Sequence, residues 1–254
     1  MTSDVVLSPS RPFRGLRWFV FTELLVQGHE TLAMATSMVV QGVLLVFVWI
    51  LNPGLLPVAF VGAIVFSMFT MGNRVLNEAA YLRIDHRSND LYFASPLQPE
   101  AYFLGMALGI LLVYIWPVVA IAAVSLWVVA YTPSLALLLF AVSAGVWLFS
   151  ASVGYIFSTF FRENRAIWAY SSLFFNLFGV LFPVFYPLTL FPPALQPIAL
   201  VLPPSAAAAL VQSALGTIAL STNGVWLASG SLAVEVMACF VGAALWARRT
   251  AREP

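Results

Sequence analysis

Few side chains in this 254-residue chain can do chemistry, and their types exclude more than they offer. All eleven basic residues are arginine, so no lysine is present anywhere. A P-loop needs its lysine on the β- and γ-phosphates, and pyridoxal phosphate or retinal needs a lysine Schiff base; none of these can be built here. Any ATP hydrolysis the chain uses therefore belongs to another chain. Cys239 is the single cysteine, which removes an intrachain disulfide, an iron–sulfur cluster and a cysteine-based zinc site. His29 and His86 share no metal-ligand spacing and stand among charged neighbours, as solvated surface histidines do. No Gly-x-Ser-x-Gly nucleophile elbow occurs, so a hydrolase lacks its parts as well. These absences predict a chain that is not itself an enzyme and carries no cofactor or metal.

What remains is a carboxylate, a few amides and one loop. Glu235 lies alone in a long apolar stretch, where a carboxylate is expensive. Two readings stand side by side: proton coupling or contact with a cationic substrate, and a protonated glutamate hydrogen-bonded across a helix interface. Gln41 and Asn176 are the other polar exceptions among apolar helices, and are candidates for a pathway or an interface. Pro117 and Pro183 predict kinks or freed carbonyls, for which a moving pathway and static packing serve equally. Gly105 and Gly109 form one Gly-x-x-x-Gly, read as close helix packing.

The loop over residues 74–100 is the most informative segment. Its first half, Asn73 to Arg83, continues a helix. In the second half Asp85, Ser88 and Asn89 are caps for a short helix that presents Leu91, Tyr92 and Phe93 and is stopped by Pro96. Apolar residues on a short charged helix predict a docking surface for another protein; the competing reading is a solvated loop with its aromatics on the headgroups.

The elements that must position these residues follow from composition. The chain is 62% hydrophobic and 8% charged, against roughly 25% charged for a soluble domain, so it is read as a membrane protein. A formal net charge of +1 argues against a broad grip on nucleic acid. Between Glu30 and Arg74, and between Glu100 and Arg162, there is no charge; between Arg165 and Arg248 there is only Glu235. About 20 apolar residues cross a bilayer as helix. The Pro, Gly and Asn punctuation then gives six spans, near 31–51, 57–73, 102–128, 135–160, 167–187 and 225–247. With the N-terminus inside, all eleven arginines fall on the cytoplasmic side, as the positive-inside rule asks. Tryptophans at 18, 49, 127, 168, 226 and 246 mark the span ends.

Two segments fall outside that count. Residues 188–222 are as apolar as a span but are cut by Pro192, Pro193, Pro197, Pro203 and Pro204, which predicts a re-entrant outer hairpin rather than a surface loop. Residues 13–30 carry Glu23, Gln27 and Glu30 on one stripe and predict an interfacial helix. A signal peptide ending at Ala33-Met34-Ala35 is disfavoured, because Glu23, His29 and Glu30 interrupt its apolar core. The expected fold class is thus all-α: one polytopic membrane domain of six transmembrane helices, multi-pass in the cytoplasmic membrane, both termini cytoplasmic.

An N-terminal interfacial helix, six spans, a charged loop ending in Ser95-Pro96-Leu97 and a proline-rich hairpin before the last span together resemble the type-2 ABC transporter permeases, an export family. The family's loop often reads Gly-Thr-Leu-Glu before Ser/Thr-Pro-Leu; here Asp90 takes the acidic position, and Arg87, Ser88 and Asn89 stand in place of Gly-Thr-Leu. Phe178 to Pro183, followed by Leu202-Pro203-Pro204, is similar to the family's fifth span and hairpin. The resemblance implies a homodimer of permeases, each docking a separate ATP-binding subunit that holds ATP and Mg. It places the contact on the loop helix, about Asp85 to Ala94, with transport directed outward. The apolar spans favour an amphiphile: a lipid, a lipid-linked glycan or a hydrophobic drug. A non-transporting scaffold subunit is the alternative. An ion-coupled secondary transporter is disfavoured by the shortage of buried charge and by the lack of an evident inverted repeat.

Overall fold

The computed structural model describes residues 16–27, 31–84, 98–163, 167, 170–171, 173–175, 177 and 181–250. The described residues are helical or in turns, with no strand among them. In chain order the helices are α1 (Leu16–Gln27), α2 (Thr31–Leu51), α3 (Leu56–Ile84), α4 (Pro99–Ser125), α5 (Pro133–Ser158), α6 (Gln196–Val201), α7 (Pro203–Ala214) and α8 (Thr222–Thr250). Between α5 and α6, residues 167, 170–171, 173–175, 177 and 181 are helical too. Among the described residues, four stretches are long and apolar enough to cross a membrane: Pro53–Ile84, Pro99–Ser125, Pro133–Ser158 and Thr222–Thr250. α2 adds a shorter apolar stretch, Met38–Leu51.

Helix starts follow local chemistry. Thr132 caps α5 by accepting from the Leu135 N–H at 3.2 Å, and Pro133 at the first helical position has no N–H to leave unpaired. Asn52 does the same for the 3₁₀ turn Pro53–Leu55, accepting from the Gly54 N–H at 3.1 Å. α3 is buried on nearly every face, as its all-round apolar sequence requires, and forms the axis of the bundle.

Two glycines set a close backbone contact in that bundle. Gly72 on α3 lies against the Ser150 carbonyl of α5, and Gly154 on α5 lies against the Gly72 carbonyl; any Cβ at either position would collide with that backbone. α3 and α5 accordingly form the most extensive helix pair. α1 packs on α4, and α8 packs on α5 and α7.

Pro183 does not kink a helix. The helical residues end at Leu181, and Pro183 sits buried in the turn that follows, where the Val184 N–H donates to the Phe182 carbonyl at 2.7 Å. The expected fifth span therefore stops short of 187, because a proline just past a helix end terminates it rather than bending it. Gly62 near the start of α3 admits this turn, with the Phe185 Cα 2.9 Å from where a Cβ would stand. α6 and α7 meet at 105° across Leu202 and Pro203, a bend that serves a broken span or a re-entrant turn.

Candidate functional site: the anchored stems of the charged loop

The predicted coupling residues Asp85, Arg87, Asp90, Leu91, Tyr92, Phe93, Ser95 and Pro96 lie outside the described residues, as does Asn176. The structure does describe the two stems from which that loop leaves and returns. The outgoing stem is held by Arg83 at the end of α3. Its guanidinium donates from Nη1 to the Thr159 carbonyl at 3.0 Å, and from Nη2 to the Phe161 carbonyl at 2.6 Å and to the Ser158 carbonyl. These are carbonyls at and beyond the C-terminus of α5, which no helical N–H satisfies and which carry the negative end of the helix dipole. A planar fork of donors suits them as a point charge would not.

The returning stem is held by Glu100 in the first turn of α4, which pairs with Arg248 near the end of α8. α8 closes the ring by a second route: the Trp246 indole N–H donates to Thr159 Oγ1 at 3.0 Å, and Arg249 lies 5.6 Å from the centroid of the Trp246 ring. Beneath them Tyr155 packs on Phe103, with ring centroids 4.9 Å apart. The contacts differ in strength. Hydrogen bonds from a charged donor to partly buried carbonyls contribute about 1.5–3 kcal/mol, whereas an exposed ion pair contributes about 0–1 kcal/mol, and Arg248 is 60% exposed. Arg83 is therefore the principal tether and Glu100–Arg248 the weaker one.

Of the remaining candidates, Gln41 is buried on α2, with its amide oxygen 2.9 Å from Ser67 Oγ of α3; the same hydroxyl lies 2.7 Å from the Ala63 carbonyl. Glu235 is half-buried on α8, and its Oε2 has no hydrogen-bond partner among the described residues. The described residues thus supply no acceptor or donor for that oxygen across a helix interface. Glu235 does not line the cavity beside Gln41, and Pro183 is at neither place. The sequence reading passed over Arg83 as a tether and Gly72–Gly154 as the helix contact. The small-residue run Ser150-Ala151-Ser152 with Gly154 was the available signal for the second.

The model of one family, described as ABC-2 type transporter, matches residues 17–215, most of the chain. The chain belongs to the ABC-2 type transporter family. No curated protein matches its sequence. Membership makes it a permease, a multi-pass transmembrane subunit of an ABC transporter, and implies association with an ATP-binding subunit. The typical permease of this family is non-catalytic, which agrees with a chain that has no lysine for a P-loop.

Proposed function

We propose that this permease is the membrane subunit of an ATP-driven exporter that moves an amphiphile (a lipid, a lipid-linked glycan or a hydrophobic drug) from the cytoplasm or inner leaflet outward. Two copies form a homodimer in the cytoplasmic membrane with both termini inside, and two ATP-binding subunits hold ATP and Mg. Six spans, the N-terminal helix along the interface and the bent α6–α7 pair re-entering from outside complete the arrangement.

The observation that carries the reading is the fastening of both loop stems to other helices, α3 to α5 through Arg83 and α4 to α8 through Glu100 and Arg248. A load applied to residues 85–97 would reach four helices at once rather than bend a free loop. Coupling then requires only that the ATP-binding subunits hold the loop differently in their two states, since a differential contact free energy is what shifts a permease equilibrium.

Charged residues at Leu91 and Tyr92 would remove the apolar contact. Membrane insertion should persist while permease-stimulated ATP hydrolysis by the partner falls to its unstimulated level. Stimulation that survives both substitutions would place the coupling contact elsewhere.

A further inference from the structure

Two cavities lie end to end between α2, α3 and α4, and they differ in character. The first, about 230 Å³, is lined by Gln41, Ser67, Thr70, Asn73, Arg74 and Tyr114 on its polar side. The second, about 440 Å³, is lined by Gly42, Leu45, Trp49, Phe60, Ile121 and Val124, with no charged residue among the described residues of its wall. They follow one another along α3 and α4, while on α2 Val40 and Gln41 of the first lie between Met38 and Gly42 of the second. On α4 the lining passes from Tyr114 and Val118 to Ile121 and Val124, with Val128 in the turn beyond, and on α3 from Arg74 to Phe60 and Leu56. At 1.5 Å per residue, Arg74 to Phe60 is roughly 21 Å, and half a hydrocarbon core is roughly 15 Å.

Among the described residues, Arg74 is the one charged group lining the polar cavity. It lies 4.8 Å from the centroid of the Tyr114 ring and makes no ion pair among the described residues. An arginine at the edge of an apolar span can bring its guanidinium to the headgroup level, where acidic lipid heads lie. Ser67, Thr70 and Asn73 line the same cavity, with the two hydroxyls donating to Gln41, the Ala63 carbonyl and the Ser67 carbonyl and the Asn73 amide oxygen accepting from Asn77.

From this juxtaposition we infer that the α2–α3–α4 cavity pair binds a membrane amphiphile with an acidic headgroup, its phosphate or carboxylate on Arg74 and its acyl chain along the Gly42–Trp49 groove. A zwitterionic or cationic head fits less well, because the described lining offers a cation and no carboxylate. Basic pockets between transmembrane helices hold acidic lipid heads for the same reason. The inference rests on membrane embedding, which family membership supplies, and not on export.

The test is native mass spectrometry of the permease, with its ATP-binding partner where the two co-purify, after exchange into mixed phosphatidylglycerol–phosphatidylcholine micelles without ATP. The wild type should retain phosphatidylglycerol in preference. Arg74→Gln should lower that preference about fivefold, in line with the contribution of one basic group near an anionic surface, and Arg74→Lys should restore part of it. A Cβ at Gly42 meets nothing within 4 Å, so Gly42→Leu should extend into the apolar cavity that Gly42 lines and lower retention of both lipids. Equal preference in wild type and Arg74→Gln, with both proteins eluting as the same species, would overturn the inference. So would displacement of the lipid by inorganic phosphate alone, which would make the site one for a soluble anion. Because no ATP is hydrolysed, failure here leaves the coupling proposal standing, and failure of the loop substitutions leaves this site standing.

Discussion

Arg83 does at residue scale what neither the composition nor the span count could indicate. In sequence it is one of eleven arginines on the expected cytoplasmic side, a charge that helps set orientation and nothing more. In the structure it is the counter-charge to the end of α5, held by three carbonyls contributed by residues 158–161. Arg83→Ala would leave those carbonyls without their donor and should cost about 1.5–3 kcal/mol. Arg83→Lys should recover only part, because an ammonium cannot reproduce the fork. The check is the thermal midpoint of the solubilised permease across the three proteins, read beside permease-stimulated ATP hydrolysis. If Arg83 tethers the loop, stimulation should fall in Arg83→Ala even below the melting range. An unchanged midpoint and unchanged stimulation would show that the guanidinium is an ornament of the helix end. Glu100 and Arg248, by contrast, should tolerate substitution with little change in midpoint, since the pair is exposed.

Between elements, the α3–α5 contact is fixed by what two glycines lack. Gly72 and Gly154 let the backbones meet, and either Cβ would strike a carbonyl rather than a movable side chain. Gly154→Ala should therefore destabilise by about 1–3 kcal/mol, the cost of forcing one methyl into a packed interface. Gly230→Ala on α8 has open space, and gains about 0.5–1 kcal/mol from the better helix propensity of alanine. Opposite signs in the two melting midpoints would confirm that approach, not glycine as such, is what matters; equal effects would not fit. Much of the helix inventory was legible from charge-free stretches and proline breaks, since burial in lipid leaves hydrophobicity almost as its only demand. Which helices touch was not legible. Gly105 and Gly109 attracted notice because their spacing matches a known pattern, while Gly72 and Gly154 sit on different helices, and no single-chain period joins them. The same limit applied to the cavity beside Gln41. Its partners Ser67 and Arg74 come from another helix, 26 and 33 positions on, and an apolar span carries no sign of which neighbour it will face. Pro183 shows the complementary error, for a proline in an apolar run reads as a kink until its place relative to the helix end is known.

For the whole molecule, orientation is the property from which the loop, the cavity and the hairpin all take their meaning. The described tethers gather Arg83, Glu100, Thr159, Trp246 and Arg248 at one end of the bundle. α8 runs 29 residues from Thr222 to Thr250, roughly 43 Å at 1.5 Å per residue, which exceeds the thickness of a hydrocarbon core. Arg248 and Arg249 end it on the tethered side, so Ser221, immediately before its first residue, lies at the far side. Loops rich in arginine stay cytoplasmic because translocating their charge is unfavourable, so the proposed topology expects the tethered end inside and Ser221 outside. The natural Cys239 lies within α8 and should first be replaced by alanine, giving a cysteine-free background. In that background Ser221→Cys should react with a membrane-impermeant maleimide in intact cells, whereas a cysteine at Ser88 should react only after the membrane is opened. The reverse pattern would invert the permease, moving the charged loop outside, away from any cytoplasmic ATP-binding subunit. Labelling of both positions from one side would require an even number of crossings between Ser88 and Ser221, and would turn the bent α6–α7 pair into a span.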